Sequence, residues 1–452
     1  MRIARILKLG FLIVALVVPA LPQLVLAGEE QRAPPEARTA GTLGTQVMRA
    51  ITQIQEMMTP EDPEDEPDLD GAKRELDELR ERRWERMNDF EKQTVLNFYT
   101  NYWLTLENYA EAINTFKELL TIEELREDTR LRTLKSLGQL TAAEEIWRES
   151  ILYYELWREA SLEEDDIVYR GLSYAHYQVD ELPQALPYWI NYMEMLLDRG
   201  EVLDRDDYAY LNGLYFQLED FENALDLTKT MIVLFDDQTD WMNLSAVYAS
   251  LDDEERRVRS LNVAYLKDML DDENRFLNLG QSMGGIDAPL SGAKVLIDGI
   301  EKEIIEQTEE NLTTLSQMYL IGSDYEAALE PALRVAELSE SGDGYDTYGY
   351  IHYVLNNYQD AADAFQMAID KGDLSDPADT FLFLARSLLE LDDFEGALAA
   401  ARQSADAGNE TERRSASDYI TFINSTQDRY NIIEERKADA IDFYRPYPSL
   451  ID

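Results

Sequence analysis

Two histidines, His176 and His352, are the only imidazoles in this 452-residue chain, and it contains no cysteine. Thiol nucleophiles, thiolate metal sites and disulfides are therefore excluded. His352 lies in YDTYGYIHYVLNNYQDAADAFQMAID, Tyr345 to Asp370, with no obvious metal partner nearby. It is either a reacting group or a packing residue, and the sequence around it decides. Asp68, Asp70 and Gly71, with Asp77 six residues after the glycine, loosely resemble a calcium loop. That loop would need Glu66 as its first ligand, beside Pro67, so a turn and helix cap is the better reading. The pairs Asp252-Asp253 and Asp392-Asp393 read as turn residues. There is no glycine-rich phosphate loop, nucleophile elbow or HExxH. Carboxylates are too abundant for any pair to stand out, which leaves a carboxylate-based hydrolase as a remote alternative. No catalytic residue, metal or cofactor is expected.

The elements that must carry any site are helical, because apolar residues recur at three- and four-residue spacing with no sustained alternation. The fragments NYAEAINTF, DFENALDLT, DYEAALEPA, NYQDAADAF and DFEGALAAA share one design. An aromatic (Tyr109, Phe221, Tyr325, Tyr358, Phe394) precedes by three residues an alanine (Ala112, Ala224, Ala328, Ala361, Ala397). Weaker copies place Trp147, Leu182, Glu254 and Leu290 at the aromatic's position, and Leu69 with Ala72 opens the series. The intervals run from 33 to 40 residues. The preceding helix repeats as well. Trp241, Leu244, Ser245 and Tyr248 fall at offsets 0, 3, 4 and 7, as do Tyr208, Leu211, Asn212 and Tyr215, and Leu312, Leu315, Ser316 and Tyr319. His176 and His352 fall where Tyr215, Tyr248 and Tyr319 fall. Both are therefore expected to be aromatic packing residues.

This pattern resembles the tetratricopeptide repeat family over residues 45 to 408. The resemblance implies an all-α, right-handed superhelical solenoid of about ten helical hairpins, with the first helices lining a concave wall. One hairpin buries too little to fold alone, whereas stacked hairpins share a continuous core. Thr411 to Gln427 reads as a capping helix, followed by a partly helical tail. The domain reading is thus 44–408 for the solenoid, with an acidic insertion at 59–70, and 409–452 for the cap and tail. Concave-wall candidates for partner binding are Arg170, Tyr174 and Tyr177, then Asp346, Tyr350 and Tyr353, with Phe216, Gln217 and Arg386 facing similarly. Aromatic and amide groups of this kind suit an extended or helical peptide.

The formal net charge is −50, from 91 acidic and 41 basic side chains. That excludes sequence-independent nucleic-acid binding and disfavours an anionic membrane surface. The N-terminal 27 residues read as a secretory signal. Arg2, Arg5 and Lys8 are the basic region, Leu9 to Val18 the apolar run, and Val25-Leu26-Ala27 the cleavage pattern. Residues 28–43 form a Gly-, Pro-, Ala- and Thr-rich leader. No stable membrane insertion is expected after cleavage.

Several stretches are similar to periplasmic tetratricopeptide proteins associated with TonB, ExbB and ExbD energy-transduction systems of Gammaproteobacteria. They include RAITQIQEMM, FEKQTVLNFY, TRLRTLKSLGQL, GAKVLIDGIEKEIIEQTEENLTTLSQMYL and DKGDLSDPADTFLFLARSLLELDDFEGALAAAR. This resemblance implies a periplasmic accessory scaffold for TonB-dependent transport. Its partners would be TonB-complex components or a basic envelope protein. The alternative is a general cell-envelope assembly adaptor.

Overall fold

The computed structural model describes residues 41–60, 62 and 66–445. The expected signal segment 1–27 and residues 28–40 of the leader lie outside these, as do part of the 59–70 insertion and residues 446–452. Among the described residues the fold is all-α, with helices that pair in chain order as tetratricopeptide-like hairpins. The hairpins are α1 (Thr45–Met58) with α2 (Leu69–Arg83), α3 (Asp89–Thr105) with α4 (Tyr109–Leu119), and α5 (Glu127–Ala143) with α6 (Trp147–Ala160). Next come α7 (Asp166–Gln178) with α8 (Leu182–Asp198), α9 (Arg205–Gln217) with α10 (Phe221–Phe235), and α11 (Gln238–Ser250) with α12 (Glu254–Leu266). Then follow α13 (Glu273–Gly285) with α14 (Pro289–Glu301), α15 (Glu309–Ile321) with α16 (Tyr325–Leu338), α17 (Asp343–Val354) with α18 (Tyr358–Lys371), and α19 (Pro377–Glu390) with α20 (Phe394–Ala407). A long helix, α21 (Glu410–Tyr444), ends the series. The chain divides into two compact units, Met1–Asp240 and Trp241–Asp452.

A single turn chemistry closes nine of the ten hairpins. A residue in the left-handed region, such as Glu219, Asp252 or Asp392, directly precedes the cap of the second helix. The cap's N–H then donates to a carbonyl five residues back: Asp220 to Tyr215, Asp253 to Tyr248 and Asp324 to Tyr319, each at 2.9 Å. In five of the nine the cap side chain also accepts from the new helix, as Asp220 does from Asn223, Asp253 from Arg256 and Asp393 from Gly396. Such caps are typically worth about 1 kcal/mol each. This is why acidic pairs recur at these turns. Asp68 likewise accepts from the Gly71 N–H at 2.8 Å, while Asp77 is held by Lys73 and the Tyr99 hydroxyl. Asp68 and Asp77 are thus engaged in a cap and side-chain contacts. Among the described residues no group of three ligating side chains could hold a metal ion.

The second helices start at Tyr109, Trp147, Leu182, Phe221, Glu254, Tyr325, Tyr358 and Phe394. Ala112, Ala224, Ala328, Ala361 and Ala397 have no exposed surface, and Trp241 packs at the edge of a core cluster. One copy corrects the sequence frame. α14 begins at Pro289 rather than Leu290, so Gly292 takes the small-residue place instead of Ala293. The reason is proline's fit to the first helical position. It is also the closeness of the backbones, since a Cβ on Gly292 would lie 2.3 Å from the Gly280 carbonyl.

The cores are serial. In the first unit Ile54, Leu76 and Val95 form one cluster, and Leu137, Tyr154 and Leu172 another. In the second unit Phe276, Leu279 and Leu296 form one, and Phe365, Ala397 and Ile423 another. Each cluster draws on neighbouring hairpins, the arrangement expected of a repeat array. The C-terminus differs from the expected cap and separate tail. α21 is continuous for 35 residues from an Asn409–Glu412 capping box. No glycine or proline lies between Asn409 and Arg445 to break it.

Candidate functional site

In the first unit a groove of about 610 Å³ opens between α7 and α9. α7 contributes Asp166, Arg170 and Tyr174, α9 contributes Asp206, Asp207 and Tyr210, and Asp204 at the cap of α9 joins them. Tyr154 from α6 and Trp189 and Tyr192 from α8 line it too. Small residues make the room. A Cβ on Gly171 would lie 2.5 Å from the Tyr154 ring, so only glycine lets that ring sit beneath α7. The aromatic wall is continuous, with Trp189 4.0 Å from Tyr210 and 4.8 Å from Tyr192 between ring centroids. The Trp189 indole N–H donates to the Asp207 carbonyl at 2.9 Å, which fixes the ring.

The groove is acidic and partly desolvated. Burial pushes the Asp207 carboxyl above the usual carboxylate range. Burial, and then the Asp207 charge, pushes the Tyr192 phenol up to about 12. Burial also takes Tyr210 to about 12. A carboxylate whose hydration is reduced gains more from an incoming cation than a fully hydrated one does.

Of the sequence candidates, Arg170 and Tyr174 line this groove. Tyr174 is 46% exposed and stands edge-on to Trp147 at 5.7 Å. Tyr177 and Gln217 meet beside it, the Gln217 amide donating to the Tyr177 hydroxyl at 2.8 Å, and Tyr177 lies 5.6 Å from Tyr210. Phe216 is set apart, edge-on to Phe221 at 6.1 Å in the hairpin turn. In the second unit Tyr350 and Tyr353 approach the Phe383 ring at 5.5 and 5.4 Å, and the Arg386 guanidinium lies 4.7 Å above it. Asp346 sits at the start of the same stripe. Its carboxyl is pushed up to about 6, chiefly by burial; Thr380 opposes the rise, and Asp379, Asp343 and Asp376 add to it.

Sequence reasoning missed Tyr154, Trp189, Tyr192, Tyr210 and the aspartates of α9. Tyr154, Trp189 and Tyr192 belong to second helices, outside any stripe along a first helix, and reach the groove through gaps left by small residues. Asp204 and Asp207 form a capping box, which reads in sequence as a helix start and nothing more. The one available signal was Gly171, a glycine inside a helical stretch.

Neither histidine lines the groove. His176 and His352 are 8% and 7% exposed. Their carbonyls accept from Glu181 and Asn357 at 2.9 Å, as Tyr215 and Tyr248 accept from their caps. His176 stacks on Tyr188 at 5.6 Å, and its Nδ1 lies 2.8 Å from a Glu181 carboxylate oxygen. That tyrosine belongs to a polar cluster with Glu155 and Arg158. Burial lowers the His352 pKa, and its Nε2 is buried with no hydrogen-bond partner. Among the described residues no helix is long and apolar enough to cross a membrane.

No family model and no curated protein matches the chain. Solved structures with partial similarity include MamA, at 20% identity over 39% of this chain and 98% of that one, with a TM-score of 0.31. YrrB, described as a TPR protein with an unusual peptide-binding site, is 15% identical over 44% of this chain and 94% of its own, TM-score 0.33. The TPR2AB domain of yeast Sti1, in complex with pHSP90, is 13% identical over 67% and 99%, TM-score 0.24.

Proposed function

We propose that this protein is a non-enzymatic docking scaffold that holds a Lys/Arg-rich segment of a partner protein in the groove between α7 and α9. The observation that carries the reading is the juxtaposition of an aromatic wall (Trp189, Tyr192, Tyr210) with Asp166, Asp204, Asp206 and Asp207. Lysine and arginine carry apolar stems that pack on rings and cationic heads that meet carboxylates and π-faces. The overall charge of −50 speeds encounter with a basic partner and makes it salt-sensitive. The compartment proposed is the periplasm, on the strength of the N-terminal signal pattern. The client proposed is a TonB-system component, in particular a basic periplasmic linker of TonB. That step is supported by sequence resemblance.

The direct test is calorimetric titration of the mature protein with the periplasmic part of TonB at low and high salt. Binding should weaken as salt rises. Asp206→Asn and Tyr174→Ala should each raise the dissociation constant about tenfold, equivalent to about 1.4 kcal/mol. Binding that ignores both substitutions would remove the groove from the account. Binding of generic basic peptides without binding of TonB, ExbB or ExbD would retain the groove and eliminate the transport assignment. Mass spectrometry of the protein from fractionated cells should find it in the periplasm with a mature N-terminus at Gly28; an intact Met1 would refute signal cleavage, and recovery in the cytoplasm alone would refute export.

A further inference from the structure

The second unit carries a cavity whose charge is opposite to that of the groove. It encloses about 360 Å³ between the second helices α12 and α14. Small-molecule sites commonly occupy about 300–1,000 Å³. Arg259, Asn262 and Tyr265 face the cavity from α12, and Ser291, Lys294 and Val295 from α14. Met283, from α13, and Ile286, from the turn after it, give it an aliphatic floor. The space follows from the packing. α14 seats closely on α13, where a Cβ on Gly292 would meet the Gly280 carbonyl. Ala288 and Ser291, small residues at the start of α14, leave the side towards α12 unfilled.

The lining contains no carboxylate, although the chain has 91 acidic side chains and the α7–α9 groove alone holds four aspartates. Its two charged members are both cations. Arg259 pairs only with Glu255 on its own helix, and both side chains are mostly exposed. Such a pair contributes little and exchanges readily. Among the described residues the Lys294 ammonium has no ion pair or hydrogen bond. The carboxylate one turn on, Asp298, pairs with Lys302 at 3.0 Å instead. The Asn262 side chain is half-buried and likewise has no hydrogen-bond partner among the described residues. Arg259, Lys294 and Asn262 therefore present donors above an apolar floor, and the cavity offers them no anion.

An anionic head answers the donors, and an aliphatic tail covers the floor. The surroundings limit how many charges the ligand carries. Outside the cavity the same two helices return to acid, with Glu255, Asp298 and Glu301. Further carboxylates of an acidic peptide would lie within a Debye length, about 8 Å, of that surface and be repelled. A single head meets the two cations, and a tail is indifferent to charge. We propose that this cavity binds a small anionic amphiphile, one carboxylate or phosphate head on an aliphatic tail. Lys294 and Arg259 hold the head, and Met283 and Ile286 carry the tail. The site shares no residue with the α7–α9 groove and stands whether or not that groove takes a basic partner.

Calorimetric titration of the full mature chain with decanoate, and separately with decyl phosphate, each below its micellar concentration, tests this. One saturable site per chain is expected for at least one of the two, and their relative affinities identify the head. Neutral decyl maltoside should bind at least tenfold more weakly. Lys294→Glu and Arg259→Glu should each raise the dissociation constant at least tenfold, as should Ser291→Leu, which narrows the cavity. All three positions are exposed, so the helical circular dichroism should be unchanged. Wild-type protein that binds neither anion saturably overturns the proposal. So does binding that is indifferent to the head or to both charge reversals, which would be general adsorption to apolar surface. An acidic peptide that competes for the cavity and binds more tightly than decanoate would overturn it in favour of protein docking.

Discussion

His176 and His352 occupy the same place in two hairpins and meet opposite surroundings. Both carbonyls accept the N–H of the cap five residues on, and both rings are almost fully buried. The cap after His176 is Glu181, whose carboxylate contacts the imidazole at 2.8 Å and also pairs with Arg148. The cap after His352 is Asn357, whose amide is 3.5 Å from Nδ1, and the nearest carboxylate, on Asp360, is 4.0 Å away. The repeat fixes where the ring goes, and the cap residue fixes what charge it meets. A shared position therefore does not imply a shared electrostatic role. Most copies place an aromatic at this position, and Thr141, Met283 and Leu388 stand there in the others.

The comparison breaks if the repeat frame is wrong, and the alanines test that with the largest effect. Ala185 and Ala361 stand at equivalent positions in the second helices of the two hairpins, each with no exposed surface. Leucine at either should overpack the helix pair and cost about 1–3 kcal/mol, read as a fall in denaturation midpoint. Equal losses at both sites are expected. An unchanged midpoint for Ala361→Leu would mean that the hairpin register is misassigned.

Asp346 sharpens the contrast, because α17 carries this second buried group with an unpartnered oxygen. Its folded pKa is raised from 3.8 to about 6. The protonated form is thus favoured by folding, and that contribution is present below pH 3.8 and is lost as pH rises through about 6. Asp346→Asn should accordingly stabilise the protein at pH 7.5 by about 1–2 kcal/mol, after allowance for solvent screening. It should gain nothing at pH 3.5. Thermal melts at the two pH values decide. A variant no more stable than wild type at pH 7.5 would show that Asp346 ionises at no cost.

A smaller effect is expected at the partnered histidine. His176→Tyr keeps the ring and loses the contact with Glu181, at a cost of about 0.5–1.5 kcal/mol. Glu181→Gln probes the same contact from the other side. The Glu181 carboxyl is held below its usual range, first by Arg148 and then by His176, so its contribution is present above its ordinary pKa of 4.5 and is lost as pH falls. The stability difference between wild type and Glu181→Gln should therefore close on acidification. A gap that widens below pH 4.5 would reverse the assigned sign.

Much of this architecture was legible because the repeat states its rules many times. An aromatic, then a small residue three on, marks the second helices, and an acidic pair marks the turn. What the pattern hid follows from its own logic. Gly292 was missed because Pro289 supplies the helix start and a glycine contact replaces the alanine. The continuous α21 was hidden because nothing repeats there. The groove escaped because Trp189 and Tyr192 reach it from the second helix, past Gly171, and offsets within one helix do not register such a crossing. Arg170 and Tyr174, which line the groove, do lie on one first-helix stripe.

The smallest predicted change is the most discriminating for the opening contrast. His352→Tyr installs the residue that Tyr215, Tyr248 and Tyr319 already provide at this position, so at pH 7.5 it should change stability by no more than about 0.5 kcal/mol. The effect of pH separates the two side chains. Burial lowers the His352 pKa below 6.5, with Asp360 opposing, so the unfolded chain takes up a proton that the folded chain resists. Wild-type stability should therefore fall as pH drops below 6.5, and His352→Tyr should remove that component of the fall. The groups facing the ring are Tyr348, edge-on at 4.5 Å, with Asn357 and Asp360, and only the last is charged. Asp360→Asn in the wild-type background should steepen the acid-side loss, because it takes away the one opposing charge. If instead wild type and His352→Tyr lost stability in parallel from pH 7.5 to 5, the imidazole would be titrating as it does in the unfolded chain, and its burial would have no electrostatic consequence.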